Sequence, residues 1–223
     1  MSNIILRERA LTLRKQNKSY SQIKHELGVP KSTLSYWLRN YPLTKARIKE
    51  LRGNNEARIE RFRQTMHKKR QSRLDLIYST EKNKILPLTK KELHIAGLAL
   101  YWGEGSKADL YKVALSNTDP LVLSFFIYWL KSIYKIKTGQ LRVALQLYSD
   151  MERNDEIKFW SKKLKVPTKQ FIKPYIKITK SDRINHKGSF GHGTCVVMIY
   201  SVELKEKIMM QLKSLSEIPK MRL

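Results

Sequence analysis

Glu104 closes a stretch that carries no Asp, Glu, Lys or Arg from Leu93 to Gly103, within His94–Lys107, H-I-A-G-L-A-L-Y-W-G-E-G-S-K. Upstream, Thr89 and Glu92 have capping-box spacing, and Leu88 can staple onto Leu93. Gly105 is a residue that takes the left-handed turn after a helix cheaply. The spacing predicts a short buried helix that ends on a carboxylate. Ala96, Ala99 and Gly103 recur at i, i+3 and i+7, so one face of that helix is small. A small face lets a second backbone approach closely. Two such helices packed together would bring two carboxylates near each other.

A second set of polar residues lies near the N-terminus. Residues 1 to about 40 read as three helices. Ile5, Leu11 and Leu13 mark the first. Ser19-Tyr20-Ser21-Gln22 has capping-box spacing before the second, which turns inward Ile23 and Leu27. Gly28-Val29-Pro30 makes the turn, and Leu34, Trp37 and Leu38 face inward on the third. I-x-x-x-L-G-V followed by S-T-L-x-x-W-L resembles the helix-turn-helix module of resolvases, transposases and many regulators. The resemblance implies that the third helix enters a DNA major groove, presenting Lys31, Ser32, Thr33, Ser35, Tyr36 and Arg39 to phosphates and base edges.

Residues 42–87 differ in composition. Pro42 breaks the chain, and Lys45–Arg73 is dense in Lys and Arg. A weak apolar stripe runs through Ile48, Leu51, Ile59, Phe62 and Met66, and Gly53-Asn54-Asn55 interrupts it. A basic helical linker, or two short helices, follows from this pattern. Lys68, Lys69 and Arg70, next to His67, suit a strap along phosphates. Residues 1–41 are therefore expected as a helix-turn-helix domain, 42–87 as a basic linker and 88–223 as a separate domain.

That last segment alternates between strand and helix patterns. Leu110–Asn117 reads as a strand with Tyr111, Val113 and Leu115 on one side. Asn117-Thr118-Asp119-Pro120 starts a helix that is apolar nearly all round. Leu141–Tyr148 is a second strand, with Arg142, Gln146 and Tyr148 outward. Asp155–Leu164 is a short helix. Gln170–Thr179 reads as a third strand, with Ile172, Ile176 and Ile178 inward and Lys173, Tyr175 and Lys177 outward. A glycine-rich basic loop covers Ser181–Gly193. Thr194–Ser201 and Val202–Leu215 complete a strand and a helix. The expected class is α+β, with one mostly antiparallel sheet, helices on one face and a basic polar face opposite.

Anchored on the acid, Gly97-Leu-Ala-Leu-Tyr-Trp-Gly-Glu-Gly105 resembles the helix end of LAGLIDADG homing endonucleases. Residues 90–215 resemble that family's order of motif helix, sheet on DNA and helices behind. The resemblance implies that Ala96, Ala99 and Gly103 form a homodimer interface, because each chain has one motif. It implies that Glu104 of each chain binds Mg²⁺ at the scissile phosphates, and that the double-stranded target is roughly palindromic. A lysine often assists in that family, and Lys107, Lys173 and Lys177 are candidates. Arg142, Gln146, Lys173, Tyr175 and Lys177 would contact DNA from the sheet.

The whole composition agrees with a polyanionic partner. The 223 residues carry a formal charge of +26, with an isoelectric point near 10.1. The longest apolar run, Leu121–Leu130, is too short to span a bilayer and is broken by Ser124. No signal peptide is visible, and Cys195 is the single cysteine, so no disulfide or cysteine zinc site is expected. A soluble, intracellular protein without a membrane or small-molecule partner follows. Asp109, Asp119 and Asp150 could be drawn as an acidic triad, but Asp119 serves better as a helix cap. His186 and His192 flank the glycine loop and lack partners at metal-ligand spacing. The competing function is a transcriptional regulator that uses the same two domains without catalysis.

Overall fold

Local sequence signals set the ends of most helices. The computed structural model describes residues 3–51, 54–178 and 191–220, and the chain forms two units, Met1–Pro87 and Leu88–Leu223.

The first unit is helical: α1 (Asn3–Lys15), α2 (Tyr20–Leu27), α3 (Lys31–Trp37), α4 (Lys45–Glu50) and α5 (Asn54–Ile85). Ser19 Oγ accepts from the Gln22 amide while the Gln22 side chain accepts from the Ser19 amide, so two free donors at the start of α2 are satisfied reciprocally. Gly28 ends α2 in the left-handed conformation at φ 70°, which a side chain would strain. Ala10, Tyr20, Ile23, Val29, Leu34 and Leu38 bury together, and Ile59 of α5 packs against them. A second small core of Leu43, Ile48, Leu51 and Ala57 joins α4 to α5. The segment read as a linker thus begins inside the first unit. Phe62 and Met66, expected on its apolar stripe, are exposed. From Thr65 to Pro87 every residue is exposed. At ~1.5 Å per residue, the 32-residue α5 is about 48 Å long.

The second unit is α+β. It contains α6 (Lys90–Glu104), β1 (Lys112–Asn117), α7 (Pro120–Tyr134), β2 (Arg142–Tyr148), α8 (Arg153–Leu164), β3 (Tyr175–Lys177), β4 (Thr194–Tyr200) and α9 (Val202–Glu217). The strands run in the order β1-β4-β2-β3. β4 pairs antiparallel with both β1 and β2, while β2 and β3 are parallel. Parallel neighbours need a crossover, and α8 supplies it. Alternate strand residues, among them Val113, Leu115, Val143, Leu145 and Val197, bury against Phe126, Trp129 and Leu130 of α7, Trp160 of α8 and Ile208 of α9. Thr89 and Glu92 form the predicted capping box, and Asp119 caps α7 ahead of Pro120.

Four sequence expectations are corrected. The third strand is three residues long, not ten. Gln170 lies in a 3-10 turn, and Pro174 has no N–H to give a ladder. Ile172 and Ile178 are therefore exposed, Ile178 at 98%, and Thr179 lies outside the described residues. Tyr111, expected on the same side as the buried Val113 and Leu115, precedes β1 and is exposed. The motif helix is buried along one face only, through Leu93, Gly97, Leu98 and Tyr101. Gly105 follows that helix in extended backbone at φ −76°, not in a left-handed turn. Its requirement is space, since a Cβ there would overlap the Tyr101 ring. Among the described residues, no helix is long and apolar enough to cross a membrane.

Candidate nucleic-acid interface

Within the first unit, α3 and α5 wall a cleft of about 790 Å³. Arg39, in the turn after α3, lines the cleft, and Ser32, Ser35 and Tyr36 stand at i, i+3 and i+4 on one face of α3. Arg63, Met66, His67, Arg70 and Arg73 do the same on α5. The predicted Lys68 also lines the cleft, whereas Lys31, Thr33 and Lys69 do not. Arg39 lies over the exposed Tyr36 ring at 5.0 Å.

A buried ion pair joins α1 to α5 at the cleft. Arg14 donates to both carboxylate oxygens of Glu60, at 3.0 and 2.7 Å, and both side chains are almost wholly enclosed. Both groups make further bonds. Arg14 also donates to the carbonyls of Lys18 and Tyr41, while Glu60 accepts from the Tyr20 amide. Arg14 and Arg63 lie over the Tyr20 ring at 4.5 and 5.2 Å. Burial pushes the Tyr20 hydroxyl above its ordinary range, against the lowering effect of Arg14. With Glu60 neutralising Arg14, six cations of the cleft (Arg39, Lys45, Arg63, Lys68, Arg70 and Arg73) face no acid among its walls. Arg14, Tyr20, Glu60, Arg63 and Arg73 are not among the contacts expected from sequence. The i, i+4, i+7, i+10 run of Arg63, His67, Arg70 and Arg73 was a readable signal. The Arg14–Glu60 pairing, 46 residues apart, had none.

In the second unit, Glu104 is exposed at the end of α6, with no hydrogen bond or ion pair among the described residues. Ala99 and Gly103 are exposed too, beside Ile95 and Trp102, and Ala96 is half-buried. The inward face needs Gly97, because a Cβ there would overlap Trp129. Below the helix end, Lys205 of α9 is buried and donates to the Tyr101 hydroxyl at 3.0 Å and the Ser106 carbonyl at 2.6 Å. Burial pulls the Lys205 ammonium down and pushes the Tyr101 hydroxyl up to about 12. Lys107, a predicted assistant, is exposed. Lys205 was missed because, in sequence, it is one more cation on a charged helix.

One chain does not complete a magnesium site at this point. Among the described residues no group of three His, Cys, Asp or Glu side chains could hold a metal ion. Glu104 is a single carboxylate, and a hard cation takes six or so oxygens.

The outer face of the sheet carries the remaining predicted residues. Gln146 stands between Thr194 and Tyr175 in register, and Tyr148 is opposite Lys177. The Lys177 ammonium lies 5.4 Å from the centre of the Tyr148 ring. Arg142 is partly committed elsewhere, since its Nη1 donates to Gln170 Oε1 and to the Gly139 and Leu141 carbonyls. Lys173 is exposed ahead of β3. His192 hydrogen-bonds Glu156 at 2.9 Å and stacks on Phe159, while His186 lies outside the described residues. No family model, curated protein or solved structure matches this chain.

Proposed function

We propose that the protein binds double-stranded DNA site-specifically, with α2 and α3 acting as a helix-turn-helix and α5 as a phosphate strap. One observation carries this reading. Ser32, Ser35 and Tyr36 of α3, with Arg39 just after it, line one cleft together with Arg63, Lys68, Arg70 and Arg73 of α5, and the cleft has an excess of cations. A cleft of this size cannot enclose a duplex, but it suits the sugar-phosphate ridge of one strand. The α5 cations would hold the backbone while the start of α3 reaches base edges. Footprinting on fragmented genomic DNA tests it. A discrete protected site, lost in Arg63→Glu/Arg70→Glu, is expected. Uniform protection at every sequence would sink site-specificity.

A second reading adds catalysis: a homodimeric, Mg²⁺-dependent endonuclease of homing type. The exposed, unpaired Glu104 at the end of the exposed Ala99–Gly103 face favours it. Two copies joined through that face would bring two carboxylates to a helix C-terminal end, where the dipole favours a cation. Mg²⁺ held there would supply an activated water and stabilise a leaving oxygen. The protein's own part is to present the acids, with Lys205 holding the turn behind them. The check is incubation with the footprinted target, with and without Mg²⁺, beside Glu104→Ala. Discrete Mg²⁺-dependent products that vanish in the variant are expected. Tight binding without cleavage would make the protein a transcriptional regulator.

A further inference from the structure

We infer that the outer face of the four-stranded sheet is a stacking platform for single-stranded nucleic acid, separate from the duplex site of the first unit. The centre of that face is apolar. Ala114 and Met198 stand side by side in register, as do Val196 and Ala144. Such side chains cannot hydrogen-bond a base edge, which a reader of the duplex groove must do. Ala114 and Met198 are themselves buried, so a base would meet the exposed rings at the ends of the face.

Aromatic rings flank this centre at opposite ends of the face. Tyr200 is 57% exposed and Tyr175 is 65% exposed, large values for side chains on paired strands. Tyr111 stands beside Tyr200 with its ring parallel to within 6°. None of the four strands contains an acid, while Lys112 and Lys177 stand at the two ends. Exposed rings on strands that carry no acid match what an unpaired strand presents, bases that stack and phosphates that need charge; Lys177 supplies charge at one end, while Lys112 at the other is paired with Asp109 at 3.2 Å. A second protein would instead be expected to find continuous exposed apolar area, and Ala114 and Met198 at the centre here are buried.

The register fixes the reach. Tyr200 lies six residues along β4 from Thr194, and Thr194, Gln146 and Tyr175 stand on successive strands. At ~3.3 Å per residue and ~4.8 Å per strand, the two tyrosines are about 22 Å apart. That span takes about six nucleotides spaced ~3.4 Å apart as in a duplex strand, and fewer when the strand is stretched.

The test is fluorescence anisotropy of the full chain with labelled oligo-dT and oligo-rU of about ten nucleotides, and with a labelled duplex. Wild type is compared with Tyr175→Ala/Tyr200→Ala and Tyr175→Phe/Tyr200→Phe. The alanine pair should weaken single-strand binding at least tenfold, because each stacked base contributes about as much as a factor of ten. The phenylalanine pair should bind within about twofold of wild type, since the ring and not the hydroxyl does the work. Duplex binding is measured beside it: an equal loss there in the alanine pair would return Tyr175 to the duplex contacts that the family resemblance implies, and would overturn the inference. Equal affinity for dT and rU assigns the site to either nucleic acid, and a preference assigns its source. Unchanged single-strand affinity in the alanine pair overturns the inference. So does an equal loss in the phenylalanine pair, or a change in oligomeric state with no change in binding. Loss of duplex binding in Arg63→Glu/Arg70→Glu, with single-strand binding kept, would separate the two sites.

Discussion

Glu60 illustrates how one residue's role depends on what it meets. In sequence it is an acid in a basic run. In the fold it is buried, held by Arg14 and the Tyr20 amide. Removing it would leave the Arg14 guanidinium buried and uncompensated, which is far more costly than losing a surface pair. Glu60→Ala should destabilise the first unit by about 3–5 kcal/mol in urea unfolding, and Arg14→Met/Glu60→Leu should recover much of that loss. A drop below about 1 kcal/mol would show the pair to be solvated. His94 makes a pH prediction at the same scale. Its Nδ1 accepts from Trp129 Nε1 at 3.3 Å, with Tyr134 edge-on, and burial holds the imidazole below its ordinary value of 6.5. The unfolded chain therefore takes up the proton more readily. Stability of the second unit should fall as pH drops below 6.5 and through the lowered folded value. In His94→Gln the part of the acid slope that belongs to this group should disappear.

Among the elements, those with chemical punctuation were legible and those defined by partners were not. Capping boxes at Ser19–Gln22 and Thr89–Glu92, the Asp119-Pro120 start and Gly28 all act through neighbouring backbone, so the sequence contains them whole. The edge strand did not obey its alternation. Ile172, Ile176 and Ile178 have the right period, but the ladder covers Tyr175–Lys177 only and runs parallel to β2. Nothing local to residues 170–178 encodes a parallel partner. The small face of α6 was legible as a pattern, yet which glycine touches what was not. Gly97 packs against Trp129 of α7, while Gly103 opens to solvent. Gly97→Ala should destabilise the second unit by about 1–3 kcal/mol, because the clash is with a core ring that cannot move away. Gly103→Ala should leave monomer stability nearly unchanged. Chemical denaturation of the two variants side by side decides this, and equal effects would contradict the packing described.

At the scale of the whole molecule, charge was the plainest signal in the sequence. What it could not give was placement. The first unit gathers six uncompensated cations around one cleft, while β1 to β4 contain no acid at all. If those six contact phosphates, the logarithm of duplex affinity should fall against the logarithm of salt with a slope of about −5. Replacing Arg70 by Gln should lower the slope by about one, measured by anisotropy across a salt series. A shallow slope would mean that the cleft is not where the duplex lies.

The exposed half of α5 has a thermodynamic consequence. From Thr65 onward it has no core to lean on, so its helicity rests on intrinsic propensity and on pairs such as Gln71–Asp75 and Glu81–Lys84. Against these stand like charges one turn apart, Lys69 with Arg73 and Arg70 with Arg73. A polyanion laid along it cancels that repulsion, so ligation and helix formation reinforce each other. Far-ultraviolet circular dichroism should then show helix content rising on addition of duplex DNA, and rising partway with salt alone. The segment would behave as a spring loosened by its own charge, and the ligand's charge is what tightens it.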